Sequence, residues 1–85
     1  GAAPAIALEA PWRREGQVRW LLRADQPALA LEVAGDDAAM RALALTALGR
    51  ADDARSVVGS RCVEVAAALS PEERQRVGVS LSGCR

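Results

Sequence analysis

Acid–base and nucleophilic chemistry near neutral pH draws first on His, then on Lys and Tyr, and this chain contains none of the three. What remains are carboxylates and two thiols. The carboxylates come as Asp36-Asp37, Asp52-Asp53 and Glu72-Glu73. Each pair stands where a helix is predicted to begin, and negative charge there is stabilised by the helix dipole. Neighbouring side chains also point in different directions, so no pair forms a two-carboxylate site alone. Helix capping is therefore the expected role. The glycines are scattered singly, with no phosphate-cradling pattern. Cys62 and Cys84 lack the spacing and the His partners of a zinc site. An even cysteine count in a short chain instead predicts a disulfide between Cys62 and Cys84, with two free core thiols as the alternative. No catalytic residue, metal or cofactor is expected, and the chain is predicted not to be an enzyme.

Composition bounds the rest. The 85 residues allow one small domain, residues 1–85, with residues 1–4 as a flexible N-terminus. A domain of this size is near the lower limit of self-sufficiency. Its apolar residues are mostly Ala, Val and Leu, and Trp12 and Trp20 are its only aromatics. Small side chains carry little apolar area, so a covalent staple would help. Basic and acidic residues balance at 11 each, and every basic residue is Arg. That balance argues against a general polyanion binder. The Arg-for-Lys and Ala bias fits GC-rich coding better than a functional demand. No apolar run is long enough to span a membrane. The small, Pro-containing start Gly1-Ala2-Ala3-Pro4-Ala5 is similar to a chain cut behind a small-residue cleavage site. With the cysteine pair, it points to the periplasm or secreted space.

Four stretches alternate with a period of two, as a half-buried strand does: 5–10, 17–23, 28–33 and 76–82. The second and third fit one hairpin across Ala24-Asp25-Gln26-Pro27. In that register Val18, Trp20 and Leu22 face Val33, Leu31 and Leu29 on the inner side. Arg19 meets Glu32, Leu21 meets Ala30 and Arg23 meets Ala28 on the outer side. The middle of the chain reads as helix. Asp36-Asp37 caps a segment with Met40, Leu43, Ala44, Ala47 and Leu48 at helical spacing, Asp37 precedes Arg41 by four residues, and Gly49 stops it. A second helix starts near Asp52, with Ala54, Val57, Val58, Cys62, Val65, Ala66 and Leu69 along one side. The β-branched residues leave a strand over 61–67 as an option. Ser70-Pro71-Glu72-Glu73 has the form of a capping box with Pro at N1.

The expected fold is thus α+β: three N-terminal strands and a C-terminal strand in a small antiparallel sheet, packed on two helices. The alternative is an all-α helical hairpin repeat. It comes from Ala42 to Ala54, where Leu48-Gly49-Arg50 and Asp52-Asp53-Ala54 resemble the inter-helix turn of a tetratricopeptide unit. The signature large residues of that family are missing, and the hairpin conflicts with it.

Without catalytic residue types, the expected function is a protein-binding module of the bacterial periplasm or secreted space: an adaptor, an inhibitor or an envelope-assembly domain. Its contact residues are expected on the outer sheet face, with Leu21 inside a rim of Arg19, Arg23 and Glu32. A self-pairing edge would give a homodimer from the same surface. The alternative is a cytosolic regulatory or nucleic-acid-binding domain using Trp12-Arg13-Arg14, Arg19-Trp20 and Arg23, because interleaved basic and aromatic residues suit single strands.

Overall fold

A computed structural model describes residues 11–79, and every regular element among them is helical. In chain order these are α1 (Pro11–Arg23), α2 (Pro27–Ala34), α3 (Ala38–Ala47), α4 (Ala51–Val58), a 3-10 turn (Gly59–Arg61), α5 (Cys62–Ala68) and α6 (Pro71–Val77). The organising element is α3. Seven of its residues are buried: Ala38, Ala39, Met40, Ala42, Leu43, Ala44 and Leu45. A helix that is apolar on nearly every side must be covered on nearly every side. Accordingly α1, α2, α4, α5 and α6 all pack against it.

Local signals set the boundaries. Asp37 is the N-cap of α3 and accepts a 3.2 Å bond from the Met40 amide. This uses one of the donors left open at a helix start. Asp52 and Asp53 lie in the first turn of α4. The α3–α4 connection turns on Gly49, whose φ of +77° is open to glycine at little cost. At the other end Ser70 and Glu73 form a complete capping box, with Pro71 opening α6. Ala54, Val58, Val65, Ala66 and Leu69 are buried, and Val57 and Cys62 pack on the core as partly buried residues. The apolar face expected beyond Asp52 is therefore present. It is carried by two helices and a 3-10 turn instead of one helix.

The α+β expectation is overturned, because the described residues contain no strand. Residues 17–23 finish α1, and 28–33 lie within α2. Alternation over six or seven residues is too short to separate period 2 from period 3.6. Val18, Leu21 and Leu22 also satisfy helical i, i+3, i+4 spacing, as Ala30 and Ala34 satisfy i, i+4. Ala and Leu prefer the helix, and β-branched residues are few here. The Ala24–Gln26 connection is a helix ending, with amides of Ala24 and Gln26 donating to Trp20 and Leu21 carbonyls. Asp25 takes a left-handed φ of +60°, which Asp tolerates better than most residues. Pro27 opens α2, the helix-start role of the same ring that suits a turn.

Three details of the expected register fall with the hairpin. Trp20, placed inside, is 65% exposed, and Leu29 is 46% exposed, whereas Leu21, placed outside, is buried. Residues 61–67 are 3-10 turn and helix, not strand. Arg76 and Val77 end α6, capped by Gly78 in the left-handed region. The expected strand over 5–10, the flexible start over 1–4 and the remainder of the last strand lie outside the described residues. The expected Asp37–Arg41 pairing is replaced, since Arg41 Nη1 donates to the Gly35 carbonyl at 3.3 Å. Of the alternative, a helical hairpin repeat, the all-α character holds among the described residues. The helix–turn–helix at Ala42–Ala54 is real, but both helices fit within residues 38–58, against a tetratricopeptide unit of about 34 residues.

Thr46 carries a buried hydroxyl without a hydrogen-bond partner among the described residues. Such a group costs more than a methyl in its place. Thr46→Val is expected to raise stability by about 0.5–1 kcal/mol, read as a higher urea midpoint at unchanged slope. A lower midpoint would show that the hydroxyl is satisfied in solution.

Candidate binding surface

A two-bond ion pair among the described residues joins positions 54 apart in the sequence. Ser70 ends the chain's approach to α6 and fixes Glu73 by the capping box. The Ser70 amide donates to Glu73 Oε1 at 2.9 Å, and the Glu73 amide donates to Ser70 Oγ at 3.2 Å. This holds the Glu73 carboxylate still and largely buried. Arg19, on α1, meets it with two bonds: Nε to Oε2 at 2.8 Å and Nη2 to Oε1 at 3.0 Å. The guanidinium fork matches a carboxylate in this geometry. Arg19 Nη2 also donates to the Ala68 carbonyl at 3.3 Å, and Glu15 stands 4.0 Å from Nη1. Arg74 Nε caps the preceding helix by donating to the Ala66 carbonyl at 2.7 Å.

The electrostatics follow from these bonds. Hydrogen bonding from Arg19 pulls the Glu73 carboxyl down to about 2, against the opposing push of burial, with the Ser70 amide helping. The same contact raises Arg19 above its ordinary value. Glu73 is thus an ionised, fully engaged carboxylate with no proton to trade near neutral pH. It is a clamp between the first and last described helices.

The residues expected to bind a partner do not share one surface. Arg19 is committed to Glu73. Leu21 is buried in the core beside Val18 and Ala30. Glu32 is exposed on α2, and Arg23 is exposed as the last residue of α1. The outer face of α1 carries Trp20 instead, which sequence alternation had turned inward. Trp20, Leu29 and Val63 are the exposed large apolar side chains among the described residues. A cleft of about 230 Å³ opens beside the clamp, lined by Arg19, Leu22, Arg23, Glu73 and Arg76. Neither Arg23 nor Arg76 has an ion-pair partner among the described residues. The pairing of Cys62 with Cys84 lies outside the described residues, because Cys84 does; Cys62 itself opens α5, partly buried against the core. No group of three or more potential metal ligands occurs among the described residues, and no described helix is long and apolar enough to cross a membrane.

Glu73, with its depressed value, stabilises the fold above the ordinary carboxyl value of 4.5, and that contribution disappears as pH falls toward about 2. Its size is about 2–3 kcal/mol, trimmed by the solvent that reaches Arg19. Wild-type melting temperature should drop across this acid window. Glu73→Gln should melt lower at neutral pH and show a flatter acid limb. An unchanged acid limb in Glu73→Gln would mean that other carboxylates drive the loss.

Set against known protein families, curated proteins and solved structures, the chain matches none of them.

Proposed function

We propose that this domain is a non-catalytic protein-binding module whose contact surface is the outer face of α1, centred on Trp20 and Arg23. One observation carries the reading: a tryptophan in a regular helix, 65% exposed, in a chain otherwise poor in aromatic side chains. Trp20 and Arg23 stand three apart, so they are neighbours on the helix surface. Trp and Arg are the residue types that contribute most at protein interfaces. The lack of His, Lys and Tyr supports a role without chemistry of its own. The compartment in this reading stays the periplasm or secreted space, as the cysteine pair suggests. The partner is another protein, with a second copy of the chain as the competing arrangement.

A nucleic-acid-binding reading has its own support, since Trp20 and Arg23 are both exposed on α1. The balanced charge weighs against it, because most of the affinity of such binders comes from excess cations.

Trp20→Ala separates surface from core. The substitution should shift the melting free energy by no more than about 0.5 kcal/mol, as for an ordinary surface site. Crosslinking capture in the native host, read by mass spectrometry, should lose its specific partners in the same variant. A partner set identical to wild type would reject the α1 surface. Capture of the chain alone, with concentration-dependent sedimentation, would replace the heterologous partner with self-association.

A further inference from the structure

We infer that the cleft between α1 and α6 is a carboxylate-binding site that receives an acidic segment of the partner protein. This rests on the protein-binding reading above and names the chemistry of its contact. The argument begins with charge accounting inside the cleft. Its lining carries three guanidinium groups, Arg19, Arg23 and Arg76, and one carboxylate, Glu73. Arg19 and Glu73 neutralise each other through two short bonds. Arg23 and Arg76 remain, with no ion-pair partner among the described residues. Each lies in the last turn of its helix, where a cation offsets the exposed carbonyl ends. That explains why a cation is tolerated there, but it leaves both forks open toward the cleft.

The clamp also organises the site. Arg23 is one turn beyond Arg19 on α1, and Arg76 is nearly one turn beyond Glu73 on α6. The clamp and the two arginines therefore share the lining of one cleft. Leu22, partly buried on the core, adds an apolar wall. Two planar forks beside an apolar wall suit a carboxylate carried on a short side chain with apolar neighbours. A phosphate backbone is the poorer fit. Two uncompensated charges neutralise few phosphates, and the chain as a whole is electrically balanced.

The test uses the full chain and a fluorescent peptide of alternating Glu and Leu, with an alternating Lys and Leu peptide and a single-stranded oligodeoxythymidylate as comparators. Binding of the acidic peptide, and not of the basic one, is expected. Arg23→Gln and Arg76→Gln should each weaken it roughly ten-fold, the worth of one charge-assisted bond. Both variants should keep the wild-type circular dichroism and lose only a little melting temperature, because each side chain serves the fold only through its helix-end position and makes no ion pair among the described residues. Acidic-peptide affinity unchanged in the double variant, or no acidic-peptide binding at all, would overturn the carboxylate site. Partner capture that still depends on Trp20 would then leave the protein-binding reading standing. Tighter binding of the oligonucleotide, with a steep salt dependence, would overturn both.

Discussion

Everything in this fold depends on burying α3. Its sequence, Ala-Ala-Met-Arg-Ala-Leu-Ala-Leu-Thr-Ala, offers Arg41 as its one charged side chain, and the Thr46 hydroxyl is itself buried. A stretch so apolar would be a liability on any surface. The chain responds by laying five short helices around it. None of these is long enough to be stable alone, since isolated helices below about 12–15 residues are marginal in water. Their stability comes from the shared contact with α3. Alanine makes this arrangement possible by letting backbones approach closely. It also makes it fragile, because each Ala brings little apolar area. Met40, Val18 and Val65, all fully buried, supply the larger contacts at the centre.

A small-residue core of this kind leaves the first and last described helices weakly tethered, and the Arg19–Glu73 clamp answers that. It links α1 to α6 by charge-assisted bonds, where packing between the two is sparse. The carboxylate is also part of the capping box, so one side chain both starts α6 and anchors it. Buried ion pairs are costly to desolvate and give little net stability unless their hydrogen bonding is complete. Here Glu73 accepts three bonds, two from Arg19 and one from the Ser70 amide. The geometry is of the kind in which such a pair contributes to specificity of packing as well as to stability.

What the sequence made legible, and what it hid, divides along the range of the interactions. Local devices could be read directly: the Asp37 cap, the Gly49 stop, the Ser70–Glu73 box and the apolar face from Ala54 to Leu69. Each depends on residues within one or two turns. The hairpin was misread because its signal was also local, and two periods agree over so short a window. Propensity held the better information, since Ala-Leu-Ala-Leu alternates in size and not in polarity. A strand facing water on one side would alternate in polarity. The candidate surface was half visible. Arg23 is exposed as expected, while Trp20 and Leu21 exchanged sides when strand became helix. The clamp was out of reach, because no pattern in one sequence links position 19 to position 73. Its one trace was Glu73 itself, already turned inward by its cap.

The outward tryptophan is the feature that folding alone does not explain. The core is short of area, and a buried indole would add more than any side chain now in it. At position 20 the helix turns it directly away from Val18 and Leu21, which face the core. An Arg or Gln there would serve the helix as well and cost nothing in solubility. Stability thus gains little from Trp20 where it stands, and solubility loses. Arg23 and Arg76 likewise have no ion-pair partner among the described residues, whereas Arg19, Arg50 and Arg55 do. An exposed aromatic and two guanidinium groups without ion pairs among the described residues suit a surface whose counterpart lies on another molecule.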